Sequence, residues 1–392
     1  MRDIFRFSMV VTLGATLVAC ELRETGGGDN LKWTHAIGSG RDLYVVTVDE
    51  DGVSFEDSVS LPNDGATTYL GGHAIFGMAQ HPTEPWLYAT SLNECSSTGP
   101  WCWGNGRIDR FEITGRGLEP MGAAYLYVPQ SGPVSSCVNS VSGNPGQIGE
   151  CAPVSITFTP DGTRAFVQDD WDDAIHTFNV NEDGTLEFVA VQGDTGQHGL
   201  AVHPNGDYLY HGSRTYSIAG NSPPVEIFSG ITGNATHVLY GGTRLLTTTS
   251  TNRVRYYSIV NPWAPTQIAN RNQGGDRARD IAVNSTETRA VVVGQNWVRT
   301  MPLSSSDVTD GPSELLPDNP EREHRSVAFG FNDTRFVVGW FRTTTPIEGG
   351  VSLYGIDEFG NFGQLDQIDM PGSVRMVHQV RCSGGVSCDA AQ

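Results

Sequence analysis

"HGLAVHPNGDYLYHGS", residues 198–213, reads as an apolar strand, a polar turn carrying Pro204, Asn205, Gly206 and Asp207, and a second apolar strand. The pattern returns as "FGMAQHPTEPWLYATS" at 76–91, "VSITFTPDGTRAFVQD" at 154–169, "RDIAVNSTETRAVVVG" at 279–294 and "RSVAFGFNDTRFVVGW" at 325–340. Short apolar runs bounded by Pro, Asn, Asp and Gly are the mark of antiparallel strands. A shorter copy, "THVLYGGTRLLTTT" at 236–249, replaces the long turn by Gly241-Gly242, the dipeptide of a two-residue hairpin. Two further strands follow most copies, as in "AIHTFNVNEDGTLEFVAVQG" at 174–193, where Glu182-Asp183-Gly184 is the turn. Four strands in roughly 40–50 residues is the period of a propeller blade.

Six complete copies begin near residues 73, 151, 196, 235, 277 and 323. Residues 32–60 supply only three strands, and 373–382 leave one strand over after the sixth copy. The last strand therefore completes the first blade as its innermost strand, which closes the ring and hides two strand edges. The expected fold is all-β: a single seven-bladed β-propeller over residues 32–382, with four antiparallel strands per blade. A length of 392 residues would also suit two or three domains, but the repeat gathers the chain into one.

The stretches "HGLAVHPNGDYLY", "ITFTPDGTRAFV" and "NEDGTLEFVA" resemble the repeats of bacterial lactonase-like propellers of the 6-phosphogluconolactonase type and of YVTN-repeat proteins, over roughly residues 33–382. The resemblance implies the seven-bladed ring and, as one functional reading, a hydrolase acting on a small lactone or carboxylate ester. The family's His, Glu and Arg set has no complete match residue by residue, and an exported protein does not meet cytosolic sugar phosphates. The chain holds no G-x-S-x-G elbow, P-loop, H-E-x-x-H or helix-opening G-x-G-x-x-G. Binding or scaffolding is the preferred expectation, and lactonase-like hydrolysis the alternative.

Residues 1–19 read as a signal for export: Arg2 and Arg6 precede an apolar run, Ser8 to Ala19, that is too short to span a bilayer. Leu17-Val18-Ala19-Cys20 resembles the lipobox of bacterial lipoproteins, which implies cleavage before Cys20 and a lipid on its thiol. By the same resemblance Glu21 points to the outer membrane, on its periplasmic or cell-surface side. Residues 20–31 form a linker whose Gly26, Gly27 and Gly28 give it a flexible reach of roughly 15–20 Å. The other six cysteines fall in close pairs, Cys95 with Cys102, Cys137 with Cys151 and Cys382 with Cys388, the last closing the tail 383–392. Sequence proximity in an exported chain favours these three disulfides. The formal charge of −20, near −21 once the signal is removed, repels phosphate, so neither nucleic acid nor an anionic surface is an expected partner. The expected state is a monomer.

Among the histidines, His203 and His81 read as turn residues and His211 as a strand end. His198 opens an innermost strand at the mouth of the central channel, where the other copies place Phe76, Val154, Arg279 and Arg325, with His237, His324 and Arg375 close by. Imidazoles and guanidiniums around the axis of an acidic protein make a site for a small anion such as a carboxylate. Arg279 and Arg325 would supply bidentate pairs, while His198 and His237 would donate or exchange protons and are the catalytic candidates. The plainer reading is that these groups bond neighbouring blades and water. Long links at 93–106, 128–151, 168–174, 213–225 and 341–350 share the mouth face and carry Trp101, Trp103 and Trp171, which suits a protein or small anionic ligand. Asp169, Asp170, Asp172 and Asp173 could hold calcium, although they match no EF-hand spacing; no other cofactor is expected. Both chain ends fall on the opposite face.

Overall fold

The computed structural model describes residues 34–380 except 41, 50–51, 62–73, 93–105, 126–152, 171–172, 194–198, 221–222, 250–251, 273–277, 316–321, 331–332 and 343–347. All seven cysteines lie outside the described residues, and with them the lipidation and disulfide expectations; so do His198, Trp101, Trp103, Trp171 and Asp172.

Seven four-stranded antiparallel sheets make a seven-bladed β-propeller. Blade 1 sets the closing strand Val374–Gln379 beside His35–Ser39, followed by Asp42–Val48 and Val53–Ser60. Blade 2 runs from the inside outward as Ala74–Gln80, Trp86–Leu92, Arg107–Thr114 and Gly117–Tyr125, and blade 3 as Pro153–Phe158, Arg164–Asp169, Ala174–Val180 and Leu186–Gly193. Blade 4 is Leu200–Val202, Tyr208–His211, Arg214–Ser217 and Val225–Ser229, and blade 5 is Asn234–Leu239, Arg244–Thr248, Arg253–Ser258 and Thr266–Asn272. Blade 6 is Ala278–Val283, Arg289–Gly294, Trp297–Pro302 and Ser313–Leu315, and blade 7 is Arg322–Gly330, Arg335–Arg342, Glu348–Ile356 and Phe362–Pro371. The upper face holds the links into the innermost strands and those between second and third strands; the lower face holds the remaining turns and both ends of the described chain.

Two local expectations are corrected. Residues 213–225 are not a long upper link, because Arg214–Ser217 is the third strand of blade 4 and pairs directly with Val225–Ser229, the fourth. Gly241-Gly242 does not make a two-residue hairpin either. Tyr240–Gly242 forms a 3-10 turn in which all three residues have positive φ, 52°, 62° and 92°, so Tyr240 joins the two glycines in the left-handed region.

No single core fills the ring; seven separate apolar clusters lie one at each blade interface. Strand alternation explains this, since successive side chains point to opposite faces of a blade. In the second strand of blade 6, Ala290 and Val292 pack toward blade 5, whereas Val291 and Val293 pack toward blade 7. Each blade is thus apolar on both faces and is stable only between two neighbours.

Polar bonds lock the same interfaces along the lower face. His81 Nε2 donates to the Gly162 carbonyl of the next blade and His203 Nε2 to the Gly242 carbonyl, each at 2.9 Å, while their Nδ1 atoms accept backbone N–H groups of their own turns. Arg164 donates to the carbonyls of Ile218 and Gly220 in the following blade, and Arg289 to those of Asp357 and Glu358. The closing seam uses Asp366, which accepts the Val53 N–H at 3.0 Å.

The turn reading of His203 therefore covers only half its role. In His203→Asn the amide can replace Nδ1, as Asn284 does in blade 6 by accepting the N–H groups of Thr288 and Arg289, but it is too short to reach Gly242. The expected loss is about 1–3 kcal/mol in urea unfolding, the usual cost of a buried acceptor left unmade.

Candidate channel-mouth site

Six of the seven innermost strands begin with an irregularity, the exception being Leu200–Val202 of blade 4. In the pairing of first and second strands the register skips one residue between Ile75 and Gly77, Pro153 and Ser155, Ala235 and His237, Ala278 and Asp280, and His324 and Ser326. The closing strand skips likewise between Val374 and Met376 against His35–Ser39. The bulged residues are Phe76, Val154, Thr236, Arg279, Arg325 and Arg375. A bulge re-aims its side chain out of the blade faces, and here it places the side chains of Phe76, Val154, Arg279, Arg325 and Arg375 at equivalent positions around the mouth. Arg375, read only as a near neighbour in the sequence, is the true equivalent of Arg279 and Arg325, while Thr236 holds the place beside His237.

Three of these residues come from consecutive blades, 6, 7 and 1: Arg279 and Arg325 pair with one carboxylate, and Arg375 stands near enough to feel its charge. Glu323, largely buried, pairs with Arg279, and its Oε1 also lies 3.0 Å from Arg325 Nη2. Arg375 lies over the Phe76 ring at 4.8 Å from its centroid, and Phe341 lies beneath both Arg325, at 5.2 Å, and Arg375, at 5.9 Å. Burial lowers the Arg375 pKa, and the Glu323 charge acts against that shift. Three guanidiniums and one carboxylate thus stand close together in a chain of formal charge −20. Aromatic stacking holds the guanidinium planes without using their N–H donors.

All seven innermost strands line a central cavity of about 840 Å³, with His237, Asp280 and His378 among its polar groups. Asp280 follows the bulged Arg279; its carboxylate accepts the N–H groups of Ile281 at 2.8 Å and, across the blade interface, Val327 at 2.9 Å. Enclosure by protein nonetheless pushes its pKa up to about 6.

The remaining candidates separate. His324 does not line the mouth: it is 2% exposed, its Nδ1 lies 3.3 Å from the Gly294 carbonyl, and burial lowers its pKa to about 4. Arg322 stacks over Trp340 at 4.0 Å instead. Asp169 is turned inward against His176, with Nε2 to Oδ2 at 3.4 Å and both side chains wholly buried, so it is not part of an exposed acidic loop with Asp170 and Asp173. Among the described residues no group of three or more His, Cys, Asp or Glu side chains is placed to hold a metal ion. Glu323 and Asp280 escaped the sequence reading. The available signal was that Glu323 stands two residues before Arg325 on one strand.

No family model matches the chain, and no curated protein matches it. Solved structures share the fold at low identity. They include a protein from Lactobacillus plantarum (12% identity, TM-score 0.63, covering 89% of this chain and 99% of that one) and the periplasmic gluconolactonase of Pseudomonas aeruginosa (14%, TM-score 0.65, 89% and 99%). A putative 6-phosphogluconolactonase from Bacteroides fragilis is similar at 11% identity and TM-score 0.64, covering 91% of this chain and all of that one.

The buried titratable groups fix a pH dependence. His35, bonded through Nε2 to the Phe329 carbonyl, shares with His324 a pKa lowered to about 4 by burial. Between pH 6.5 and 4 both imidazoles bind protons only in the unfolded chain, so stability falls on acidification. Asp280 works oppositely: its raised pKa adds stability that is present below about pH 3.8 and lost as pH rises to 6. The net expectation from these three groups is a stability that rises with pH by roughly 1 kcal/mol per unit between about pH 4.5 and 6.5. Urea titrations at several pH values should give this slope, and His324→Gln should flatten it.

Proposed function

We propose that the protein is an exported, lipid-anchored binding module that takes a small carboxylate at the channel mouth. The observation that supports the reading is the pairing of Arg279 and Arg325, from successive blades, with the single carboxylate of Glu323, while Arg375 of the next blade stacks on Phe76 and Phe341 nearby. Pairing with Glu323 keeps Arg279 and Arg325 in place without a ligand, and a cluster of guanidiniums suits an incoming anion. The second reading, hydrolysis of a small lactone or carboxylate ester, is favoured by that same buried carboxylate among arginines and by the likeness in fold to a gluconolactonase. Under that reading a wild-type lactone-opening rate above background should be lost in Glu323→Gln.

A thermal-shift series with small carboxylates, sugar acids and lactones tests the binding reading. A carboxylate that binds only the native state raises the melting temperature with its concentration. Arg325→Ala and Arg375→Ala should each weaken it by about 1–3 kcal/mol, the worth of a charge-assisted hydrogen bond. Equal shifts in the wild type and both variants would assign the arginines a purely structural role.

The anchor is the lipid on Cys20, holding the protein at the outer membrane with its upper face outward. On detergent phase partition the wild type should enter the detergent phase and Cys20→Ala the aqueous phase.

A further inference from the structure

Exposed apolar side chains are distributed unevenly over the ring. Of nine large ones among the described residues, only Val191 lies toward the upper face. The others sit in lower turns between third and fourth strands or in the first half of a fourth strand. One arc belongs to blades 7 and 1 and consists of Phe359, Leu365 and Phe55. The second belongs to blades 4 and 5 and consists of Val225, Ile227, Val260, Trp263 and Ile268. Phe359 is 73% exposed, Val260 70% and Trp263 55%, and all three stand at turn tips. Tyr208 braces Trp263 from blade 4, their ring centroids 5.8 Å apart.

We propose that this lower rim rests on the bilayer to which the protein is tethered, with Trp263, Val260 and Phe359 seated among the lipid headgroups; the proposal rests on the lipid-anchor reading above. Three features select a bilayer as the occupant. The described chain starts on this face at Thr34, fourteen positions after Cys20, and a linker with a reach of roughly 15–20 Å keeps the lower face close to the anchored lipid. The apolar tips form two arcs on one face rather than one compact patch, which suits a plane better than a protein knob. Tryptophan and phenylalanine at such tips match the chemistry of the headgroup region, where an apolar ring can be buried shallowly while its polar neighbours stay wet. Acidic turns on the same face, Glu182-Asp183 and Asp357-Glu358, restrict the surface to zwitterionic lipid.

The test uses the full lipidated protein with phosphatidylcholine vesicles, with and without brominated acyl chains. Flotation reads the anchor, and bromine quenching of tryptophan emission reads the docking. The expected result is a quenched fraction in the wild type that disappears in Trp263→Phe and shrinks when phosphatidylglycerol is added. Protein that floats but is quenched equally in wild type and Trp263→Phe overturns the docking and leaves the anchor standing. If Cys20→Ala floats as well as the wild type, the anchor fails and quenching alone decides the docking; if the wild type does not float, both fall. A dimer in light scattering that Val260→Ser and Trp263→Ser dissolve would assign the rim to a second copy and overturn the proposal.

Discussion

The pairing of Val374–Gln379 with His35–Ser39 is the constraint on which the rest of the molecule depends. Every blade is apolar on both faces, so an open arc would leave one apolar face at each end and an unpaired strand edge in blade 1. Joining the last strand to the first three removes all of these at once. The register of that seam is near-regular over His35–Gly38 and slips only at its upper end. That slip is what delivers Arg375 to the mouth.

The ring also explains why buried polar groups are concentrated between blades. Neighbouring blades meet through side chains, not through a continuous ladder, so turn carbonyls at the lower face lack strand partners. Histidine and arginine supply the missing donors from the adjacent blade. His81, His203, Arg164 and Arg289 have this task, and the glycines at positions 162 and 242 leave space for the imidazoles, because a Cβ there would fall on the ring. Burial lowers the pKa of His81, so its neutral state is part of how blades 2 and 3 are joined.

Much of this was legible in the sequence. The repeated strand–turn–strand pattern gave the blade number, and the surplus strand at 373–382 gave the mode of closure, because both depend on local alternation and turn chemistry. The mouth was half legible: Arg279 and Arg325 could be placed by alignment of the copies, but Arg375 lay in an isolated strand with no copy of its own turn to align. Glu323 and His324 are neighbours in sequence whose roles diverge because a bulge follows them. Register slips of this kind depend on pairing across the sheet, and nothing in the local pattern announces them. The misreading of 213–225 has the opposite cause, since Arg214–Ser217 is only four residues long and its polar ends hid it inside a seeming loop.

The origin of Arg375 in the closing strand bears on how the protein matures. A chain made from its N-terminus delivers the last strand of this ring at the end, after the six blades between have had time to stack. Arg279, Arg325 and Glu323 can meet as soon as blades 6 and 7 are in contact, but the third guanidinium arrives only with ring closure. Completion of the charge cluster is therefore a chemical mark of a finished ring, and an unclosed intermediate would carry a weaker claim on any anion.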